Sequence, residues 1–193
     1  QAHDLLRRLG ALDGQSRLTG HGKAMSELPV HPRLAHMLIR GKQIGLGSLA
    51  CGVAALLEER DLLHGSSDKD IDLYSRWHVL REGGGADRFA RERARSQAAR
   101  LCQILSVKQE RMAEDRLGVL LAFAYPERVA KRREPRGERY LLASGTGASL
   151  PKGSLLAREQ YLAVGDVDGV GSEARIFLAS PISEEDIKEV FVD

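Results

Sequence analysis

The sequence predicts a mainly α protein: a helical bundle that is preceded by part of a winged helix and followed by a small, incomplete β segment. Of the 193 residues, 42% are apolar but only 5% are aromatic, and a composition dominated by Leu, Ala and Val favours helix. Apolar residues recur at helical spacing as far as about residue 125. Beyond Pro126 the chain is rich in glycine and in short β-like runs.

The first 29 residues are predicted to form the C-terminal part of a winged helix. Four leucines before residue 13 give a short helix one narrow apolar face. Residues 13–19 then fit a hairpin, in which Gly14 is expected to supply a positive φ. Thr19 is expected to cap a short helix that Pro29 ends, because proline cannot donate the helical hydrogen bond.

Residues 30–125 are predicted to form the bundle. Pro32 fits the first turn of a helix that Gly45 terminates. The next helix, from Ser48, is apolar almost all round between residues 49 and 57, which indicates a buried central helix. Three more helices are expected at about 70–82, 87–105 and 114–124.

Residues 126–193 are predicted to form the β segment. Three strands are expected, at 139–144, 159–167 and 173–180, each bounded by glycine, serine or proline. Three strands make most of a small barrel, so the barrel is expected to be incomplete.

Composition bounds the class of protein. No run approaches the roughly 18 apolar residues of a membrane span, and the charged start has no signal-peptide core. We therefore expect a cytoplasmic protein with no membrane partner. Cys51 and Cys102 are expected to be free, buried thiols. The start at Gln1 and the final apolar pattern predict a piece of a longer chain.

The motifs that suggest catalysis or metal binding do not meet the requirements of their chemistry. The stretch from Gly145 to Lys152 lacks the Gly-Lys-Ser/Thr order and the following helix of a phosphate-binding loop. The Asp166–Glu173 stretch lacks the spacing of a calcium loop and fits a hairpin instead. The six histidines lack the paired spacing of a zinc site. No catalytic or metal-binding residue is therefore predicted.

Two basic features indicate contact with a polyanion. Residues 126–140 carry six cations against three glutamates, and the predicted helix 87–105 places Arg91 and Arg95 on one face with Arg88. Since phosphate neutralisation is the general source of affinity for nucleic acids, these cations are the candidate contacts. They are Arg128, Lys131, Arg132, Arg133, Arg136 and Arg139, with Arg91 and Arg95 in second place.

Several segments resemble a known family. The stretch "LLRRLGALDGQSRLTGHGKAMSELPVHPRLAHMLI" is similar to the part of DEAH-box ATP-dependent helicases that runs from the winged helix into the ratchet-like helical bundle. The stretches "ACGVAALLEERDLL", "YPERVAKRR" and "EQYLAVGDVDG" resemble the bacterial HrpB branch of that family. The resemblance covers essentially the whole chain and implies that the β segment is OB-like.

The resemblance also implies a function. In such helicases two RecA-like lobes hold ATP and Mg, and the winged helix, bundle and OB-like barrel enclose a single strand. This chain contains neither a Gly-Lys-Ser/Thr loop nor an Asp-Glu-Ala-His motif. It is therefore expected to need no cofactor itself. It is expected to guide a single strand beside the lobes of its parent, with RNA as the first candidate and DNA as the second. An activator protein is expected as a further partner at the OB-like segment.

Two other classes of protein remain open. A self-standing winged-helix regulator would bind duplex DNA, although the first helix offers no run of exposed base-reading Asn or Gln. A protein-docking scaffold would use its acidic end, where residues 166–193 hold eight acids against two bases. That imbalance gives a local charge of −6 and leaves +8 on the rest of the chain.

Overall fold

The computed structural model describes residues 2–59, 63, 70–84, 87–107, 113–135, 137–168 and 173–191. Within these residues the α-helices are α1 (Ala2–Arg8), α2 (Gly20–Ser26), α3 (Pro32–Gln43), α4 (Gly47–Glu58), α5 (Leu73–Glu82), α6 (Arg88–Ile104), α7 (Leu117–Ala124) and α8 (Glu184–Phe191). The strands are β1 (Val129–Arg132), β2 (Arg139–Leu142), β3 (Gly147–Ser149), β4 (Tyr161–Val167) and β5 (Glu173–Pro181).

The N-terminal segment folds as a short helix, a tight hairpin and a capped helix. Leu12 and Leu18 form the antiparallel bridge of the hairpin. The prediction that Gly14 supplies the positive φ is wrong, because Ser16 adopts it instead, at 62°. Two backbone amides donate to the carboxylate of Asp13, which holds this turn without a left-handed glycine at position 14. The hydroxyl of Thr19 accepts from the amide of Gly22 and caps α2, as predicted.

The bundle is built around α4 and α7. Nearly every side chain of α4 and all of α7 are buried, which confirms the prediction of a central apolar helix. Helix α3 begins at Pro32, and Gly45 adopts a φ of +74° just beyond its end, as expected of a helix terminator. Cys51 is buried and Cys102 is half-buried, and the two do not form a disulfide.

Helix α7 joins the bundle to the barrel. It packs against α3 on one side and against β4 and β5 on the other. Gly118 makes this approach possible, because a Cβ there would lie 2.0 Å from the carbonyl oxygen of Pro181 at the end of β5. The bundle core therefore extends to Ala163 and Ile182 at the edge of the barrel.

The β segment is a closed barrel with the strand order β1-β2-β3-β5-β4. All neighbouring pairs are antiparallel except β3 and β5, which are parallel. The prediction of an incomplete barrel is therefore wrong: β2, β4 and β5 correspond to the three predicted strands, and β1 and β3 complete the closure. A five-stranded closed barrel is compatible with the OB-like segment that the resemblance implies.

Two strands and one helix escaped prediction for physical reasons. Strand β1 lies inside the basic segment, where charge conceals the alternation, and β3 is three small residues that only pairing with β2 and β5 defines. Helix α8 begins with three consecutive acidic residues and buries Val190 against the bundle core. No helix in the described ranges is long and apolar enough to cross a membrane.

Candidate nucleic-acid interface

Strand alternation sorts the predicted cations of β1 into two groups. Ala130 is fully buried in the barrel, so its neighbour Lys131 faces outward and is exposed. Arg132 points to the same side as Ala130, whereas Arg133 is exposed just beyond the strand. The run Lys131-Arg132-Arg133 therefore does not form one basic patch.

The strand register aligns three arginines across the outer surface of the barrel. The amide of Arg133 donates to the carbonyl of Arg139, which extends the β1–β2 ladder. Arg139 on β2 lies opposite Ser149 on β3, and Ser149 lies opposite Arg175 on β5. Arg133, Arg139 and Arg175 thus stand in one line, called the arginine row below.

All three members of the arginine row are exposed to solvent. Nε of Arg139 lies 3.5 Å from a carboxylate oxygen of Glu173, with 62% of the Arg139 side chain exposed. Such an exposed pair contributes little stability, so a phosphate can replace the carboxylate at small cost. Among the described residues no carboxylate lies within ion-pair distance of the guanidinium of Arg133 or Arg175. Asp168 borders the row on the far side of β5, where its carboxylate accepts from the backbone amide of Arg175 at 2.6 Å.

Arg128 lies away from this surface, at the junction of bundle and barrel. Its Nη1 donates to the carbonyl of Gly165 at 3.0 Å, and its guanidinium lies 4.6 Å from the centre of the Tyr125 ring. Arg33 of α3 lies over the same ring at 5.1 Å. The guanidinium of Arg128 therefore bonds within the junction, and 28% of the side chain is exposed.

Arg132 closes one end of the barrel. Its Nη1 donates to the carbonyl of Ala157 at 2.8 Å, in the 3₁₀ turn Leu155–Arg158. The hydroxyl of fully buried Tyr140 bonds the carbonyls of Leu156 and Glu159 in the same region, at 3.0 and 2.7 Å. Burial raises the pKa of Tyr140 to about 12, so this hydroxyl stays protonated and continues to donate.

Lys131 borders an apolar groove that lies next to the arginine row. The groove, about 380 Å³ in volume, is lined by Val129, Leu141, Tyr161 and Ile187 in addition to Lys131. The ammonium of Lys131 lies 5.7 Å from the centre of the Tyr161 ring. Lys131 therefore combines a positive charge with an apolar surface.

The two second-place candidates lie in the bundle. Arg95 donates from Nε to the carbonyl of Leu80 at 2.8 Å and from Nη2 to that of Arg81, so it caps the C-terminal turn of α5. Arg91 is half-buried, and a Cβ at Gly83 would come within 2.1 Å of its Nη1. Both side chains are thus used in packing α6 against α5. Arg136 lies outside the described residues.

Sequence reasoning missed Arg175, because it was counted within the acidic end of the chain. The signal was present: in "EARIF" the buried Ala174 and Ile176 alternate with exposed Glu173, Arg175 and Phe177. Period-two alternation places Arg175 on the outer face, but only the pairing of β5 with β3 brings it into line with Arg139. No group of three potential metal ligands occurs among the described residues.

The chain is similar to known helicases along most of its length. Residues 2–30 match the winged-helix part of the helicase-associated domain HA2. The chain is 33% identical over 163 residues to the ATP-dependent RNA helicase HrpB of Escherichia coli, which covers 83% of this chain and 18% of that protein. It is also 33% identical over 67 residues to the probable ATP-dependent RNA helicase DHR2 of Saccharomyces cerevisiae, covering 35% of this chain and 9% of that protein.

Solved structures of HrpB are similar to this chain over nearly its whole length. A crystal structure of the E. coli DExH-box NTPase HrpB superposes with a TM-score of 0.77 at 30% identity, covering 97% of this chain and 21% of that one. A crystal structure of the E. coli DEAH/RHA helicase HrpB gives 0.76 at 28% identity, with 95% and 22% covered. The chain thus spans less than a quarter of the length of these relatives.

Proposed function

Since this chain is a relative of the accessory region of HrpB-type DEAH-box helicases, we propose that it guides single-stranded nucleic acid for the motor of a longer parent protein. The observation that carries the proposal is the arginine row. Three exposed guanidinium groups in line across one barrel surface fit a phosphate backbone, and such contacts position a strand without reading its bases.

The proposal divides the work between this chain and the rest of the parent. Binding ATP and Mg and hydrolysing ATP belong to RecA-like lobes, whose motifs this sequence lacks. The chain contributes a rigid bundle and a barrel that holds the strand while the lobes move. RNA is the first candidate strand, because both curated relatives are named as RNA helicases.

We propose a smaller set of phosphate contacts than charge alone suggests. Arg133 and Arg139 are the leading ones and Arg175 joins them, while Arg136 stays a candidate because of its charge. Arg128, Arg132 and Arg95 bond to backbone carbonyls, so their loss is expected to affect folding more than strand binding. Arg91 and Lys131 keep a secondary role.

A second role, protein docking, is favoured by the apolar groove beside Lys131. Its lining of valine, leucine, isoleucine and tyrosine suits an apolar side chain of an activator protein better than a phosphate. The groove adjoins the arginine row, because Leu141 lines the groove and lies two residues from Arg139 on β2, so the two roles would use neighbouring parts of the barrel surface.

Fluorescence anisotropy with labelled single-stranded RNA tests the proposal. The double variant Arg133→Glu, Arg139→Glu is expected to weaken binding at least about 10-fold at low salt, because each reversal replaces an attraction by a repulsion. The double variant Arg8→Glu, Arg100→Glu changes the net charge equally at exposed arginines of α1 and α6, so it is the matched control and is expected to change affinity little. Equal losses in both variants, or no binding by the wild type, would contradict strand guidance and favour docking.

A further inference from the structure

We propose that Phe177 is a base-stacking platform at one end of the arginine row, so that the barrel holds a base as well as phosphates. The inference rests on the proposed function, because it concerns the same strand. It adds a contact of a different chemical kind, made to the aromatic face of a base rather than to the backbone.

The position of Phe177 follows from the register. Ser149 lies opposite Arg175 in the parallel β3–β5 pair, so Phe177, two residues on, lies level with Pro151 just beyond β3. On the other side of β3 the amide of Leu150 donates to Glu138, which continues the β2–β3 ladder toward Gly137. Phe177 therefore lies at the end of the surface where the β1–β2 loop begins.

The strip of surface along β3 is expected to lie lower than the neighbouring strands, because its outward side chains are small, and it is called the trough below. The outward residues of β3 are Gly147 and Ser149, which form a low floor. One wall is β2, with Arg139 and with Leu141, which is 47% exposed. The other wall is β5, with Glu173 at the end away from Phe177. At the Phe177 end the carboxylate of Glu138 accepts from the amide of Gly153, so the cations of the trough lie between its two ends.

Phe177 is not needed to fill the barrel. Its ring is 40% exposed, while its neighbours Ile176 and Ala174 point inward and belong to the barrel core. The guanidinium of Arg175 lies 5.2 Å from the centre of the ring. An exposed aromatic ring beside a cation is the combination with which single-strand-binding barrels hold a nucleotide.

The spacing of the groups fits one continuous strand. Arg175 and Phe177 are separated by two strand residues, about 6.6 Å, and Arg139 and Arg175 by two interstrand distances, about 10 Å. A phosphate between the two arginines thus leaves its base within reach of the ring. Stacking of this kind tolerates any base, since every base has an aromatic face.

The test compares two labelled single-stranded probes of about 12 nucleotides, one of thymidines and one with the same backbone but abasic sites. Wild-type protein is expected to bind the thymidine probe more tightly. Phe177→Ala is expected to weaken binding of that probe about 5- to 10-fold and to leave the abasic probe unchanged. Phe177→Trp is expected to keep the wild-type preference for the thymidine probe, because the larger ring still stacks.

Controls separate stacking from loss of structure and from failure of the proposed function. Phe89→Ala removes a ring of α6 that is 76% exposed, and it is expected to leave both affinities unchanged. The inference is overturned if Phe177→Ala weakens both probes equally or neither, or if Phe177→Trp behaves like Phe177→Ala. If the wild type binds neither probe, the proposed function fails and this inference fails with it.

Discussion

Arg33 and Glu127 join the bundle to the barrel through a bidentate ion pair. Nη2 of Arg33 lies 2.6 Å from Oε1 of Glu127, and Nη1 lies 3.1 Å from Oε2 and 2.9 Å from the carbonyl of Ala124. Only 17% of the Arg33 side chain and 25% of the Glu127 side chain are exposed. Burial raises the pKa of Glu127, but the hydrogen bonds and charges of Arg33 and Arg128 more than offset this, so the net pKa is below its ordinary value.

Arg33→Ala is therefore expected to destabilise the protein by about 2 kcal/mol, since it leaves a half-buried carboxylate and a carbonyl without their partner. Equilibrium unfolding in urea, followed by circular dichroism, measures the change. Arg17→Ala is the control, because Arg17 is 75% exposed in its i,i+4 pair with Asp13. The control is expected to cost less than about 0.5 kcal/mol. Similar costs for the two variants would show that the junction does not depend on the Arg33 pair.

Histidines 21 and 36 couple α2 to α3 and are predicted to make stability depend on pH. Nε2 of His21 lies 2.8 Å from Nδ1 of His36, a contact that two doubly protonated rings cannot make because both nitrogens would then be donors. Burial first, and then the charges of His21 and Arg40, lower the pKa of His36 to about 4. Burial also lowers the pKa of His21.

Since these pKa values are lower in the folded state, the unfolded state takes up protons first as the pH falls through about 6.5. The contribution of neutral His36 to the free energy of unfolding is therefore fully present above about pH 6.5. It is lost as the pH falls from there toward 4. When the pH falls from about 7.5 to 4.5, the free energy of unfolding of the wild type is expected to drop by about 2 kcal/mol more than that of His36→Gln. Urea unfolding at both pH values measures this difference, and exposed His78 provides a control substitution to glutamine. Equal losses of stability in the wild type and in His36→Gln would show that His36 does not cause the pH dependence.

Gly118 is predicted to be required for the close approach of α7 to β5. Alanine normally stabilises a helix interior by about 1 kcal/mol relative to glycine. Here the added Cβ would lie 2.0 Å from a backbone oxygen, so Gly118→Ala is expected to destabilise by about 2 kcal/mol or more. Thermal unfolding compares it with Gly14→Ala, where no heavy atom lies within 4 Å of the added Cβ. A stabilised Gly118→Ala protein would refute the described packing.

Much of the helical architecture could be predicted from the sequence because its signals are local. Thr19 and Pro32 mark helix starts by their hydrogen-bonding chemistry, and the apolar sequences of α4 and α7 indicate burial whatever their neighbours are. Strand β3 has no such signal, since Gly147 and Ser149 are poor strand formers. Its structure exists only through pairing with strands that are distant in sequence.

The sequence identifies cations that are candidates for the interface, but it does not show which of them lie on one surface. Charge alone groups Arg128, Arg132 and Arg133 together, whereas the structure uses the first at the junction and the second at the barrel end. Arg175 carries the same charge in an acidic part of the chain. Only the pairing of β3 with β2 and β5 brings it into line with Arg139, with Ser149 between them. Cross-strand alignment is a non-local property, so counting charges along the sequence cannot find it.

The salt dependence of strand binding tests the central claim most directly. Affinity for single-stranded RNA is measured at several salt concentrations for the wild type and for the triple variant Arg133→Gln, Arg139→Gln, Arg175→Gln. If the arginine row contacts phosphates, the slope of log affinity against log salt becomes shallower by about 2, since each lost contact with a single strand removes about 0.7. An unchanged slope would show that the barrel surface carrying these arginines does not bind the strand.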